Sequence, residues 1–159
     1  MLSFKSYRSI RPEDRIILSP DTKVKFRNVQ QGKDFKPKGL WYAAGTSWMD
    51  WIESEMPDWK YKKDTKDLLH VHKLEINQNA IIQLQTKRDV IEFEEEYGVE
   101  PSYGASVLID WEHVAKKYAG IECIPYFYGL RDRVWYNIWD VPSGCIWSNR
   151  GIKSIKLIE

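Results

Sequence analysis

The sequence contains little cysteine and no strong excess of charge. Only Cys123 and Cys145 are cysteines among its 159 residues. Each lies within an apolar run, which fits neither a disulfide framework nor the spacing of a zinc site. The 24 basic and 23 acidic side chains leave a formal net charge of +1, so no overall attraction to nucleic acid or to an anionic membrane is expected. We expect two buried thiols, and any charged partner would have to bind a local patch.

Long hydrophobic runs are also missing. No window approaches the ~20 apolar residues of a membrane-spanning helix. The charged N-terminus "MLSFKSYRSIRPEDR" lacks the apolar stretch of a signal peptide. These absences predict a soluble, cytoplasmic protein without a membrane partner. The length suits one core, so a single domain over residues 1–159 is predicted.

The order of the predicted elements favours an α+β fold over a doubly wound nucleotide-binding fold, for which the glycine-rich motifs are absent. Strands are predicted at "RIILS" and "TKVKFRN", in a hairpin of "LLHVHKLEI" with "AIIQLQ", and at "IECIPYFY", "VWYNIWDV", "GCIWS" and "IKSIKLI". Helices are predicted at "KRDVIEFEEEYG" and at "DWEHVAKKYAG", the latter capped by Asp110. Strands in runs with helices inserted between them predict two packed, mostly antiparallel sheets.

Tryptophan is abundant, with eight residues, and three of them lie in "GLWYAAGTSWMDW" at residues 39–51. "LWYAA" is typical of a strand, and Ser47 with Asp50 has the form of a capping box that opens a helix. Such a corner would bring Trp41 and Trp51 face to face around a flat ring. The helical spacing of Trp48, Trp51, Ile52 and Met56 by itself favours an ordinary helix face packed on a sheet.

The segment "GLWYAAGTSWMDW" resembles a motif of ADP-ribosyltransferases of the poly(ADP-ribose) polymerase and phage or bacterial toxin kind. Further along the chain, "KKYAGIECIPYF" and "WDVPSGCIWSNRGIKSIKLIE" are similar to the C-terminal pattern of the same superfamily. The resemblance spans residues 22–158 as a series of elements. It implies an ADP-ribosyltransferase-like fold, NAD as cofactor, and a role as a phage or bacterial effector or toxin.

The resemblance also implies cofactor-binding positions. Trp41 takes the first aromatic place, Ser47 the serine place and Trp51 the second aromatic place of the nicotinamide slot, with Gly39 and Tyr42 beside them on the strand. The family usually has tyrosine or phenylalanine at the aromatic places, so tryptophan is a departure that would fill the slot more tightly. A basic residue on an early strand meets the cofactor's phosphates, a role we assign to Arg27, with Tyr7 and Arg8 as the alternative.

The catalytic carboxylate is where the sequence departs most from the family. A glutamate commonly starts the strand before the C-terminal tail and stabilises the oxocarbenium-like centre as the glycosidic bond breaks. The matching residue here is Ser143. We therefore expect Asp140, three residues upstream, to supply the carboxylate, with Glu122 on the neighbouring strand as the reserve candidate.

Other signals are weaker. His70 and His72 alternate along a strand as a metal pair would, but no third ligand is evident, so no metal site is predicted. The segment "WKYKK" mixes aromatic rings with lysines and would suit single-stranded nucleic acid, although a charged loop is the ordinary interpretation.

The leading hypothesis is an NAD-dependent ADP-ribosyltransferase or NAD glycohydrolase. Its ADP-ribose acceptor would be a protein, a nucleic acid or a small molecule, and an antitoxin or a host target would be its partner. The alternative is a catalytically inactive module of the same fold that binds a nucleotide or nucleic acid. A third hypothesis is a structural domain whose tryptophans form the core.

Overall fold

A computed structural model of the chain describes residues 9–56, 70–101 and 106–158. Within these ranges the four α-helices are α1 (Ser47–Glu55), α2 (Lys87–Tyr97), α3 (Trp111–Ala115) and α4 (Val134–Asn137). No helix in the described ranges combines the length and apolar character needed to cross a membrane. Pro57, predicted to end the first helix, and "WKYKK" lie outside the described residues.

Ten strands form the two sheets of the described residues. They are β1 (Arg15–Ser19), β2 (Lys33–Asp34), β3 (Leu40–Ala44), β4 (His70–Ile76), β5 (Ile81–Gln83), β6 (Gly98–Val99), β7 (Leu108–Asp110), β8 (Gly120–Cys123), β9 (Ser143–Ile146) and β10 (Ile152–Leu157). The larger sheet has the order β10-β4-β1-β3-β9-β8-β5, and the smaller has the order β2-β7-β6. All pairings are antiparallel except that of β5 with β8. The predicted α+β class, with mostly antiparallel sheets, is confirmed.

Two predicted strands are wrong. The segment "VWYNIWDV" contains helix α4, and "TKVKFRN" contains no strand. A short run rich in aromatic and β-branched residues has strand propensity, but its periodicity does not distinguish a strand from a buried turn of helix. Burial decides the outcome at α4, because Trp135 and Tyr136 are both fully buried there.

The predicted hairpin of β4 with β5 is also wrong. Strand β4 lies between β1 and β10, whereas β5 is at the far edge of the sheet and pairs in parallel with β8. A 3₁₀ turn over Gln78–Ala80 separates the two strands. The backbone N–H of Asn77 donates to Gly151, so long-range partners replace the local pairing that the sequence suggested.

Helix α1 begins at the predicted place but by a different mechanism. The N-cap is Thr46, whose side chain makes no cap hydrogen bond. The Ser47 hydroxyl instead donates to the carbonyl of Ala44 at 2.5 Å, so the predicted capping box of Ser47 with Asp50 is wrong. Met49 and Ile52 are the buried residues of this helix. The other N-cap prediction is confirmed, since the Asp110 side chain accepts from the backbone N–H of His113.

Strand alternation gives the larger sheet two different faces. One face, which we call the tryptophan face, carries Trp41. The paired residues on the same face are Ile16, Ala43, Ser143 and Cys123. Tyr42 pairs with Gly144, and Gly144 with Glu122, on the opposite face, which we call the tyrosine face. The clusters that contain Trp135, Trp139 and Met49 cover the first face, and a smaller aliphatic cluster around Ile17 and Leu74 covers the second.

Gly144 lets a side chain cross a strand. The Tyr42 ring extends over Gly144 on β9, and its hydroxyl reaches Glu122 on β8 at 3.0 Å. A Cβ atom at position 144 would overlap the ring and hydroxyl of Tyr42. The hydrogen bond between β3 and β8 therefore requires glycine on the strand between them.

The Gly144→Ala variant should be destabilised by about 2–4 kcal/mol, because the new methyl group overpacks the strand and displaces the Tyr42 hydroxyl. Urea unfolding measures this free energy. Gly32→Ala is the matched control, since no atom lies within 4 Å of its added Cβ. Equal stability of the two variants would contradict the crossing of β9 by the Tyr42 side chain.

Candidate functional site

An aromatic pocket of about 320 Å³ opens on the tryptophan face. This volume is at the lower end of the range of small-molecule sites and suits one ring system with its adjoining sugar. The residues that line this pocket are Ile16, Leu18, Lys36, Trp41, Tyr42, Ala43, Trp48, Trp139 and Ser143.

Three elements bring the tryptophans to the pocket. Trp41 projects from β3, Trp48 from the first turn of α1, and Trp139 from the turn after α4. Trp41 and Trp139 meet edge to face, with ring centroids 4.9 Å apart. Trp51 stacks parallel on Trp48 at 5.1 Å and is not a lining residue. The structure therefore brings Trp41 together with Trp48 and Trp139, and not with Trp51 as the sequence suggested.

Lys36 is the one cation among the described residues that line the pocket. Its Nζ atom lies over the Trp41 ring, 5.1 Å from the centroid, where the aromatic face attracts a cation. Burial lowers the pKa of Lys36, and the nearby Asp140 carboxylate opposes that shift. Position 36 lies in the polar loop after β2, and no sequence pattern distinguished this lysine from its neighbours.

The turn that follows α4 holds Asp140 beside the pocket in an unusual backbone conformation. Asp140 has φ of 63°, and it is the one non-glycine residue with positive φ in the described ranges. Aspartate tolerates this region better than most residues, and such conformations cluster at functional sites. Its Oδ1 atom lies 3.8 Å from Nη2 of Arg131, and its side chain is 28% exposed.

Neighbouring groups tighten this turn. The backbone N–H of Val141 donates to Trp139 at 2.7 Å. The Ser143 hydroxyl donates to the carbonyl of Val141 at 2.8 Å, so it serves the turn as well as lining the pocket. The indole N–H of Trp139 is buried and has no acceptor within the described residues, and such an orphaned donor is rare in folded proteins.

Among the other residues of the predicted cofactor site, Tyr42 lines the pocket, and Tyr7 and Arg8 lie outside the described residues, whereas Arg27, Ser47 and Gly39 do not line it. Arg27 is exposed and does not line the pocket. Ser47 hydrogen-bonds the backbone at the start of α1. Gly39 sits where a Cβ atom would collide with the carbonyl oxygen of Ile146, so it serves the close pairing of β3 and β9.

Glu122 is buried on the tyrosine face, away from the aromatic pocket. Its Oε1 atom accepts from Nε of Arg15 at 2.5 Å and from the Tyr42 hydroxyl at 3.0 Å. Its Oε2 atom accepts from Gln83 at 3.0 Å and from Nη2 of Arg15 at 3.2 Å. We call these four residues the carboxylate cluster. Sequence reasoning missed Arg15, which begins an apolar strand and carries no motif.

The electrostatics of the carboxylate cluster fit a stable ion pair. The hydrogen bond to Glu122 raises the pKa of Arg15. Burial, followed by the Glu122 charge, raises the pKa of Tyr42 well above its ordinary value, so its hydroxyl stays protonated and donates. All four hydrogen bonds satisfy the carboxylate, and it has no open side from which to act on a ligand in the aromatic pocket.

A larger cavity of about 760 Å³ lies at the end of the sheet where β1 and β10 begin and β4 ends. Its charged side chains have both signs, and one pair, Lys73 with Asp14, is already joined at 3.1 Å. None of its lining residues in the described part of the chain is aromatic. In the described ranges no three His, Cys, Asp or Glu side chains are grouped to hold a metal ion. Buried His72 instead has Nε2 3.0 Å from the Asp21 carbonyl oxygen.

Glu122→Gln should lower the free energy of unfolding by about 2 kcal/mol. Breaking a buried ion pair costs roughly 3–5 kcal/mol, and the exposed edge of Arg15 reduces that cost. Chemical denaturation measures the change, with Glu92→Gln in the exposed Arg88 pair as a control expected near zero. Equal stability of Glu122→Gln and the wild type would contradict a structural role for this ion pair.

Comparison with known proteins finds no match to this chain. No family model matches the sequence, and neither the curated proteins nor the solved structures give a match. A function for this chain is therefore argued from the geometry of the aromatic pocket and its neighbours.

Proposed function

We propose that the chain binds NAD and cleaves its nicotinamide–ribose bond, as an ADP-ribosyltransferase or an NAD glycohydrolase with an ADP-ribosyltransferase-like fold. One observation carries the proposal. Three tryptophans from separate elements enclose a ring-sized pocket, with Asp140 held beside it in a constrained turn. The sequence resemblance supports the same reaction. It gave the second aromatic place of the nicotinamide slot to Trp51, and we assign that place to Trp48 and Trp139 instead.

The pocket fits the charge changes of this reaction. Oxidised nicotinamide is a flat cation, and tryptophan faces attract it by about 2 kcal/mol when water is excluded. When the glycosidic bond breaks, its electron pair leaves with nicotinamide, and positive charge develops on the ribose. The Asp140 carboxylate would stabilise that charge until water or an ADP-ribose acceptor attacks the ribose carbon and releases a proton.

Lys36 is suited to bind the phosphates of the cofactor, the role that the sequence assigned to Arg27. An ammonium group at the pocket wall attracts the diphosphate of a dinucleotide, and its partial burial strengthens that attraction. The same group repels a cationic ring placed beside it. Binding therefore requires the Lys36 side chain to leave the Trp41 face and turn toward the phosphates, which exposes that face for nicotinamide.

The Trp41→Leu variant should bind NAD about tenfold more weakly, because one aromatic wall is lost and each 1.4 kcal/mol corresponds to a factor of ten. Titration calorimetry measures the affinity without depending on tryptophan emission. Trp51→Leu is the matched control, since Trp51 belongs to the same corner but does not line the pocket. If both variants bind NAD as the wild type does, the ring lies elsewhere.

Asp140→Asn should reduce nicotinamide release by about a hundredfold, the usual loss when one stabilising group of a transition state is removed. Chromatographic assay of nicotinamide, with and without cell lysate, measures the reaction. Asp132→Asn removes a more exposed carboxylate, 79% accessible, from the turn before α4 and should leave the rate unchanged. Equal rates for the two variants would remove Asp140 from the mechanism.

A binding module without turnover is the second candidate. Among the described residues that line the pocket none is a carboxylate, and Asp140 already has Arg131 as an ionic partner. A protein of this kind would bind NAD or another nucleotide with the same dependence on Trp41 and release no nicotinamide.

A further inference from the structure

Tyr128 is the most exposed large hydrophobic residue in the described ranges, with 63% of its surface accessible. It lies in a 3₁₀ turn over Tyr128–Leu130, between β8 and α4. A tyrosine ring in this setting offers a flat face to solvent, where another ring stacks on it at little conformational cost.

Packing against two other tyrosines holds the Tyr128 ring in place. Tyr128 meets Tyr126 edge to face at 5.1 Å, and Tyr126 is stacked on buried Tyr136 at 4.7 Å. The Tyr126 hydroxyl donates to the carbonyl of Tyr136, and the Tyr136 hydroxyl accepts from the backbone N–H of Phe127. These contacts hold the turn in place, so the exposed ring is already ordered before any partner arrives.

Arg131 connects this ring to the proposed reaction site. Its guanidinium carbon is 6.0 Å from the Tyr128 ring centroid, and Nη2 is 3.8 Å from Asp140. Its Nε donates to the side chain of Asn137 at 3.0 Å, which fixes the guanidinium group. Trp139, the next residue before Asp140, lines the aromatic pocket. A molecule that approaches the ribose at Asp140 from this side must therefore pass over Arg131 and Tyr128.

We propose that Tyr128 and Arg131 form a contact surface for single-stranded nucleic acid, with a base stacked on Tyr128 and a backbone phosphate bound by Arg131. The assignment of this strand as the ADP-ribose acceptor rests on the proposed function, whereas the contact surface itself does not. Base stacking tolerates any sequence, and a planar guanidinium group suits a phosphate.

The charges near the Tyr128 ring make Arg131, rather than Arg133, the residue to bind a phosphate. The Lys87 ammonium group lies 3.9 Å from the place that a Cβ atom at position 129 would take, next to Tyr128, and adds a cation to this side. Arg133 is already paired with Glu94 and Asp132. Asp140 partly neutralises Arg131 at 3.8 Å, so a bound phosphate competes with that carboxylate, and binding should be modest and sensitive to salt.

The test is fluorescence anisotropy of a labelled twelve-nucleotide oligothymidylate and of oligouridylate, titrated with the full chain in the absence of NAD. Tyr128→Ala should weaken binding about tenfold, the loss expected when one stacked base is released, and Tyr128→Phe should retain the affinity. Arg131→Gln should weaken binding and reduce the salt slope by about one. Unchanged thermal unfolding would show that the exposed substitutions keep the fold.

Matched controls separate this surface from general charge. Lys117→Gln removes another cation that lies over a tyrosine, 5.4 Å from the Tyr118 ring, and should bind as the wild type. A duplex of equal length should bind more weakly, because its bases are not free to stack. Equal affinity of wild type and Tyr128→Ala, or tighter binding of the duplex, would overturn the proposal.

Incubation with labelled NAD and lysate decides the acceptor role. Label that nuclease removes, and that is lost with Tyr128→Ala, supports it, whereas label that only protease removes overturns it and assigns a protein acceptor. If no nicotinamide is released but oligonucleotide binding still depends on Tyr128, the proposed function fails and the contact surface remains.

Discussion

One buried carboxylate connects four strands of the larger sheet. Glu122 on β8 receives hydrogen bonds from Arg15 on β1, Tyr42 on β3 and Gln83 on β5. The Tyr42 bond crosses a strand that contributes only a glycine. Charge-assisted hydrogen bonds of this kind are geometrically demanding, so the cluster sets the spacing of the strands on which the aromatic pocket is built. The pocket depends on this arrangement although Glu122 never contacts it.

The aromatic pocket and the carboxylate cluster lie on opposite faces of the sheet because successive side chains of a strand alternate between the faces. Trp41 and Tyr42 are consecutive, and so are Ser143 and Gly144, so on each strand one residue belongs to the tryptophan face and the next to the tyrosine face. One face is apolar and aromatic, with space for a ligand. The other is closed by an ion pair. The chain thereby keeps a strong buried charge away from a pocket whose proposed ligand is itself a cation.

Much of the fold could be predicted where local signals are strong. "RIILS" and "LWYAA" coincide with β1 and β3, and Asp110 caps α3 as its position indicated. The failures have a common physical cause, because burial and long-range pairing decided α4 and β5. For the site, the sequence predicted Trp41 as a ligand-binding residue and Asp140 with Ser143 as catalytic residues, and the structure places Trp41 and Ser143 at one pocket. Sequence reasoning missed Lys36, Trp139 and Arg15, whose roles come from tertiary contacts that leave no periodic pattern.

The alternation of functions along β3 and β9 also restricts how this protein can diverge. Trp41 and Ser143 are each followed in the chain by a residue of the tyrosine face, so a change of backbone there disturbs both sides at once. Trp48, Trp139 and Lys36 lie on a helix, a turn and a loop, so a change at these positions does not disturb the tyrosine face. New ligand preferences should therefore arise by replacement of these three residues, with the strand positions inherited unchanged.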